Sequence, residues 1–334
     1  MKTLLTISFS IWFLFSGIAQ STIGITGITD NSYNSYSALK TTLKTHPNAL
    51  LVIENQYPNV SEKRDITYAT IGERPLKLDI FYPKEKNTCE HPAILIIHGG
   101  GWRSGNRSQH IPMAQKLASM GYVTITAEYR LSTEALYPAA VQDLKAAVRW
   151  IRANASAYHV DSHKVACLGF SAGGQLATLV GNTNGVSLFE ANEGIVGTSS
   201  DVQAIIDIDG IVAFIHPESG EGDDSKRTSA ATYWFGFGKD ENPSLWQQGS
   251  ALSYTGKNTP PTLFINSSVD RMHAGRDDYR KILETNHIYS EVHTFNNSPH
   301  SFCLFSPWFD PTINYIDHFL KKVFRKHKDT LAFR

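Results

Sequence analysis

Ser171 lies at the centre of a glycine motif whose composition suits nucleophilic catalysis. The segment 169–173, of sequence Gly-Phe-Ser-Ala-Gly, follows a strand-forming apolar run and precedes a helix-forming stretch over 175–180. A strand that turns sharply into a helix forces the residue at the bend into a strained backbone conformation, and the glycines remove side chains that would collide there. Ser171 is then lifted clear of the sheet, with the positive end of a helix dipole behind it. A glycine-rich turn into a buried helix has the same pattern, so the prediction needs a second motif.

That second motif is the segment 98–102, His-Gly-Gly-Gly-Trp, which directly follows the apolar run 93–97. Consecutive glycines let backbone N–H groups face a cavity. Nucleophilic attack on an acyl carbon creates an oxyanion, which each such donor stabilises by about 3 kcal/mol. We expect the N–H groups of Gly100, Gly101 and Ala172 to form this oxyanion hole. A phosphate-binding loop is the alternative, but the segment lacks the P-loop lysine and the Gly-x-Gly-x-x-Gly spacing.

A serine nucleophile needs a general base, and the base needs a carboxylate that orients it. Among 13 histidines, His300 lies in a loop between the last predicted strand and the final predicted helix. Asp270 lies four residues past the predicted strand 262–266, where its carboxylate would reach such a histidine. We therefore predict a triad of Ser171, Asp270 and His300. Asp277 stays open as the acid, although its position at a predicted helix start suits a cap or dipole partner.

Composition limits the classes of partner. The 334-residue chain is 41% hydrophobic, enough to bury a large core. Its 31 basic and 31 acidic residues cancel, which disfavours nucleic acid or an anionic membrane as partner. The sequence contains no CxxC pair that would indicate a metal, and a serine mechanism requires no cofactor.

The N-terminus predicts export. Residues 4–18 form an uncharged apolar run after Lys2, with small residues at Gly17 and Ala19. The run is too short for a comfortable membrane span, so we expect no stable membrane insertion. We predict a signal peptide over 1–19, cut before Gln20, and a secreted or periplasmic protein. No cysteine follows the cut, which disfavours a lipid anchor.

Three cysteines cannot all pair with one another. Cys167 falls in the predicted strand before Ser171, where a small buried thiol is the ordinary role. Cys89 and Cys303 could form a disulfide in an oxidising compartment, but nothing in the sequence requires it.

The remaining pattern predicts the fold. Two alternating runs, 66–70 and 76–82, indicate an antiparallel strand pair at a sheet edge. From residue 93 to 324, apolar strands alternate with amphipathic helices, which predicts a mostly parallel, twisted α/β sheet with helices on both faces. We expect a loose leader over 20–57 with one short helix near 36–43, then a single domain over 58–330. Residues 210–260 break the alternation and are interpreted as a small lid.

The two motifs together resemble the α/β-hydrolase esterases of the hormone-sensitive-lipase-like and BD-FAE-like feruloyl and acetyl esterase group. Segments 128–131 (Glu-Tyr-Arg-Leu) and 137–140 (Tyr-Pro-Ala-Ala), with Asp143 and Trp150, are similar to the same group, and the resemblance covers about residues 65 to 326. It implies the α/β-hydrolase fold, whose triad follows the chain order Ser171, Asp270, His300. It also implies that Asp143 holds Arg130 or a backbone amide and takes no part in chemistry.

The resemblance implies a secreted serine carboxylic-ester hydrolase. Similar exported proteins remove acetyl, feruloyl or methyl esters from xylan or pectin, so an esterified carbohydrate is the expected substrate. Trp102, Trp234 and Trp246 are candidate platforms on which sugar rings would stack. A peptidase or amidase on the same fold and a catalytically silent binding domain are the alternatives. The presence of both Ser171 and His300 disfavours the silent domain.

Overall fold

The structure is a computed structural model that describes residues 19–84 and 89–331. Its strands are β1 (Leu50–Leu51), β2 (Val60–Ile71), β3 (Arg74–Pro83), β4 (His91–Ile97), β5 (Val123–Ala127), β6 (Val160–Phe170), β7 (Ala204–Ile208), β8 (Thr262–Asn266), β9 (Ser290–Thr294) and β10 (Phe305–Ser306). Its α-helices are α1 (Ser35–Thr42), α2 (Ile111–Ser119), α3 (Ala139–Ala153), α4 (Ala155–Tyr158), α5 (Ala172–Asn182), α6 (Ala230–Phe235), α7 (Pro243–Gln248), α8 (Arg276–Thr285) and α9 (Phe309–Leu331).

Eight strands form one sheet in the order β2-β3-β5-β4-β6-β7-β8-β9. The pairs β2–β3 and β3–β5 are antiparallel, and every later pair is parallel. The predicted fold class and the predicted antiparallel edge pair are therefore confirmed. The parallel order places the carboxyl ends of β4, β6, β7 and β8 side by side, where ligand sites of open α/β sheets form.

Helices cover both faces of the sheet because the side chains on both faces of its central strands are apolar. On β4, Leu95 and Ile97 pack in the core beneath α3, α5 and α8, whereas Ile94 and Ile96 pack beneath α2 and α9. All four side chains are buried, and each contributes about 1.5–3 kcal/mol relative to an exposed position. A continuous apolar run is thus what a strand between two helical layers requires.

The N-terminal segment is held firmly on the domain, contrary to the expected loose leader. Its helix α1 matches the predicted one, and β1 pairs with β10 beyond the His300 loop. The Ser21 N–H donates to the Gly236 carbonyl at 2.6 Å, at the far end of α6. Backbone hydrogen bonds therefore hold this segment in place. The amino-acid composition of the segment does not predict them. The predicted signal peptide lies, apart from its last residue, outside the described residues.

The excursion between β7 and β8 carries α6 and α7 and has an aromatic core of its own. Phe235 packs on Trp246 with ring centroids 4.6 Å apart, and Phe214 contacts both rings edge-on. Over the ranges 19–84 and 89–331, no helix is long and apolar enough to cross a membrane.

Candidate active site

Ser171 occupies a sharp turn between β6 and α5. Its backbone has φ 57° and ψ −122°, a conformation that a non-glycine residue adopts only under strain. A β-carbon on Gly169 would lie 1.9 Å from the Gly173 carbonyl oxygen, and one on Gly173 would lie 2.2 Å from the Ile97 oxygen. The turn closes this tightly only because both flanking residues are glycines. The predicted strand–turn–helix context of Ser171 is therefore present.

His300 reaches Ser171 from the loop that follows β9. Its Nε2 lies 2.8 Å from Ser171 Oγ, and its Nδ1 lies 2.8 Å from Asp209 Oδ2. A carboxylate only accepts hydrogen bonds, so Nδ1 carries the proton that is donated to Asp209. Nε2 is then free to accept the serine proton, as a general base must.

Asp209 directly follows β7 and is fully buried. Its Oδ1 accepts the Ser267 N–H at 2.7 Å, and its own N–H donates to the Ile265 carbonyl. Both bonds lead to the end of β8, the neighbouring strand. The carboxylate is therefore held from two sides, with one oxygen committed to the backbone and the other to His300.

The predicted triad acid is wrong: Asp209, and not Asp270, contacts His300. Asp270 is exposed at the start of a 3-10 helix, and it makes no hydrogen bond or ion pair with any described residue. The alternative, Asp277, accepts a hydrogen bond from Arg276 Nε at 2.9 Å on the exposed first turn of α8. The physical reason is the sheet order, because β7 lies between β6 and β8 and its end is nearer to the nucleophile strand.

A sequence signal for Asp209 exists but is weak. The run Ala204–Ile208 is apolar except for Asp207, and Asp209-Gly210 follows it. Asp207 accepts the Gly210 N–H at 2.7 Å and a hydrogen bond from Thr178, and burial raises the pKa of its carboxyl well above the usual range. Two aspartates thus end one buried strand, the first bonded to the turn and to α5 and the second bonded to the histidine.

The predicted oxyanion donors do not all lie at the cavity. Gly101 and Ala172 line it together with Ser171 and His300, whereas Gly100 does not. The N–H of Gly101 donates to no other described residue. Ala172 begins α5, so its N–H has no partner within the helix and lies at the positive end of the dipole. Gly101 and Ala172 are therefore the better-placed pair.

Buried groups behind the glycine loop keep it in place. The His98 ring stacks on Tyr129 with centroids 4.4 Å apart, and the Tyr129 hydroxyl donates to the His98 carbonyl at 3.0 Å. Burial lowers the pKa of His98 to about 4, so this ring is neutral at neutral pH. Asp143 accepts the Arg130 N–H at 2.9 Å and pairs with its guanidinium, as the resemblance implied.

The tryptophans do not offer stacking platforms. Trp234 and Trp246 are fully buried, and Trp246 Nε1 donates to the Phe237 carbonyl at 3.0 Å. Trp102 lines the cavity but is only 4% exposed, because it stacks on Trp234 and donates to Gln175 at 2.8 Å. The prediction of sugar platforms at Trp234 and Trp246 is therefore wrong, since both rings are buried in the protein and cannot contact a sugar.

A cavity of about 620 Å³ opens over Ser171 and His300. Residues 220–230 of the excursion form one wall, Arg271 and Met272 a second, and Arg103 and Tyr233 a third. Ala172, Ile211 and Met272 are the buried apolar side chains of the lining that lie outside the glycine loop. The remaining side chains of these walls are mostly charged or hydroxylated.

Neither a metal nor a disulfide adds to the site within the described ranges. No group of three or more His, Cys, Asp or Glu residues there could hold a metal ion. All three cysteines are free, with Cys89 exposed and Cys303 buried beside the His300 loop. Burial raises the pKa of Cys167 to about 12, so its thiol stays protonated in β6.

Two relatives in sequence are esterases of Mycobacterium tuberculosis. Esterase LipC is 28% identical over 204 residues, which cover 60% of this chain and 49% of LipC. Carboxylesterase NlhH is 31% identical over 120 residues, which cover 36% of this chain and 37% of NlhH. The chain thus spans about half of the first relative and just over a third of the second.

Solved structures share the fold, and a family model covers its centre. A truncated carbohydrate esterase from gut microbiota has a TM-score of 0.65 at 24% identity, covering 81% of this chain and all of that one. Thermogutta terrifontis esterase 2 has a TM-score of 0.65 at 23% identity, covering 80% and 96%. The BD-FAE family model matches residues 78–274, more than half of the chain. This chain has the α/β-hydrolase fold and belongs to the BD-FAE family.

Proposed function

We propose that this chain is an exported serine carboxylic-ester hydrolase that removes short acyl groups, acetate first, from plant polysaccharide such as xylan or pectin. The observation that carries the proposal is the continuous hydrogen-bonded line Ser171–His300–Asp209, with 2.8 Å at each step. The names of the relatives, esterase and carboxylesterase, agree with it.

The proposed mechanism follows from this geometry. Ser171 Oγ attacks the ester carbonyl while its proton passes to His300 Nε2, and Asp209 stabilises the imidazolium that forms. The N–H groups of Gly101 and Ala172 bind the oxyanion of the tetrahedral intermediate. His300 then protonates the leaving alcohol as the C–O bond breaks. A water molecule, deprotonated by His300, hydrolyses the acyl-enzyme and releases the acid.

The cavity lining supports a polar alcohol as the leaving group. Residues 220–229 bring Glu221, Asp223, Arg227, Thr228 and Ser229 to its wall. A long aliphatic chain would leave these groups without water or hydrogen bonds, which is costly. Sugar hydroxyls, in contrast, both donate to and accept from carboxylates, guanidiniums and hydroxyls. The buried apolar side chains of the lining, Trp102, Ala172, Ile211 and Met272, are few, which favours a short acyl group.

Product release from natural polymers tests the proposal. The protein is incubated with acetylated xylan, feruloylated xylan and methyl-esterified pectin, and acetate, ferulate and methanol are measured. Acetate release should dominate, and Ser171→Ala should lower it about a thousandfold or more without changing the melting temperature. Undiminished activity in a folded Ser171→Ala protein would refute the serine mechanism. Release of none of the three products would refute the polysaccharide substrate.

Export rests on the sequence of residues 1–19 and has its own test. The full chain is expressed in a bacterium, and the N-terminus of the protein outside the cytoplasm is determined. We expect it to begin at Gln20. A cytoplasmic protein that retains residues 1–19 would refute this part of the proposal.

A further inference from the structure

Two arginines of the active-site cavity, Arg103 and Arg227, form no ion pair with any described carboxylate. Arg103 follows the glycine loop, with its guanidinium carbon 4.2 Å from the centre of the Tyr233 ring. Its Nη1 donates to the Gly24 carbonyl at 3.1 Å. Among the described residues the Asp30 carboxylate interacts with this guanidinium electrostatically, but it is too far away to form an ion pair. Arg227 lines the same cavity and makes no hydrogen bond or ion pair to any described residue.

The other charges of the wall already have partners. Arg271 pairs with Glu221 at 3.2 Å, and burial raises the pKa of the Glu221 carboxyl. Asp223 accepts the Ser225 N–H at 3.0 Å, and hydrogen bonding to Ser225 lowers its pKa. Three guanidiniums thus face the cavity with two carboxylates, one of which is paired. After the Arg271–Glu221 pair is set aside, Arg103 and Arg227 are opposed in the lining only by Asp223, so one positive charge is in excess.

Arg103 is also held in position before any ligand arrives. The stacked Tyr233 ring and the Gly24 carbonyl restrict the guanidinium, so less side-chain entropy is lost when it binds a ligand. A guanidinium presents paired N–H donors that match the two oxygens of a carboxylate. Arg227 is exposed and supplies a second positive charge on the same cavity. A neutral ester would make no use of this excess.

We propose that Arg103 and Arg227 form a carboxylate-binding subsite, so that the preferred substrates are esters carrying a negative charge. The proposal rests on the ester-hydrolase function above and narrows its substrate class. The carboxylate could belong to an acidic sugar in the leaving alcohol, such as a uronic acid of the polysaccharide. It could equally belong to the acyl group, as in a half-ester of a dicarboxylic acid.

The test compares charged and neutral esters of matched shape. An acetylated uronate-containing oligosaccharide is paired with an acetylated neutral xylo-oligosaccharide, and p-nitrophenyl hemisuccinate with p-nitrophenyl butyrate. For each pair the ratio of kcat/KM, charged over neutral, is measured at low and high NaCl. Arg227→Gln is compared with Lys226→Gln, which removes the same charge from the neighbouring exposed residue that does not line the cavity.

Arg227→Gln should lower the charged-over-neutral ratio about tenfold in one of the pairs, and high salt should lower it in the unmodified protein. Lys226→Gln should leave both ratios within twofold of the unmodified protein. A loss confined to the oligosaccharide pair assigns the carboxylate to the alcohol, and a loss confined to the p-nitrophenyl pair assigns it to the acyl group. Unchanged ratios in Arg227→Gln, or equal changes in Lys226→Gln, overturn the subsite. Absence of all ester hydrolysis would instead overturn the proposed function.

Discussion

Replacing Asp209 by asparagine tests whether this residue acts as the triad acid, because the substitution keeps the size of the side chain and the conformation of the backbone. Asp209 has φ 54°, a left-handed conformation that asparagine also tolerates, so the backbone strain is unchanged. The side chain keeps its size within a fully buried site. What changes is that one of the two acceptor oxygens becomes an NH₂ donor.

The Ser267 N–H decides which way the new amide faces. This N–H needs an acceptor, so the amide oxygen takes the position 2.7 Å away and the NH₂ group turns toward His300 Nδ1. Nδ1 must then accept, which moves the ring proton to Nε2. A protonated Nε2 cannot take the Ser171 proton. We therefore expect kcat to fall about a thousandfold to ten-thousandfold, equivalent to about 4 to 5.5 kcal/mol in the activation barrier.

The assay is initial-rate hydrolysis of p-nitrophenyl acetate, with thermal melting measured on the same samples. Asp270→Asn is the matched control, because this exposed side chain makes no contact with His300, and its kcat should stay within about threefold of the unmodified value. The reasoning is refuted if Asp270→Asn, and not Asp209→Asn, is the variant whose kcat falls. It is also refuted if Asp209→Asn retains more than a tenth of the activity.

Two further predictions concern stability. Trp246→Ala removes a fully buried ring from the aromatic core of the excursion and should lower the free energy of unfolding by about 3–5 kcal/mol, measured by urea denaturation. If the variant stayed fully folded and its loss of activity differed between small and polymeric esters, this packing role would be contradicted. His110 is buried with no partner for either ring nitrogen among the described residues, and burial lowers its pKa to about 3. Since the unfolded pKa is higher, about 6.5, stability is lost as pH falls below 6.5, by about 1.4 kcal/mol per unit from this residue. Unfolding curves at pH 7 and 4.5 should show a smaller drop in His110→Leu; equal drops would contradict the assignment.

Local patterns are sufficient to predict the candidate nucleophile, the candidate base and most strands. Ser171 is defined by glycines within two residues of it, and β8 was predicted with the bounds that the structure has, because its apolar run ends abruptly. His300 was found from its place between the last strand and the last helix. Each of these predictions depends on residues that are close in sequence.

The acid and the aromatics depend on contacts between distant segments. Asp209 and Asp270 both follow buried strands, and only the order β6-β7-β8 with the path of the His300 loop decides which carboxylate meets the ring. Trp234 and Trp246 occur in a polar, glycine-rich stretch, which favours exposure. Trp234 is buried against Trp102 of the glycine loop, far away in the sequence. Trp246 is buried against Phe235 of α6, in the same excursion.

The segment before β2 holds part of the proposed active site in place. The Tyr33 N–H donates to Ser104 Oγ at 2.8 Å, and the Asp30 carbonyl accepts the Gly105 N–H at 2.9 Å. Both bonds hold the far end of the loop that carries Gly101, yet the family match starts only at residue 78. A chain that began only at residue 78, where the family match starts, would keep Ser171, Asp209 and His300 but release one anchor of the proposed oxyanion hole. The segment that the family model matches and the segment that the proposed active site requires therefore have different boundaries in this protein.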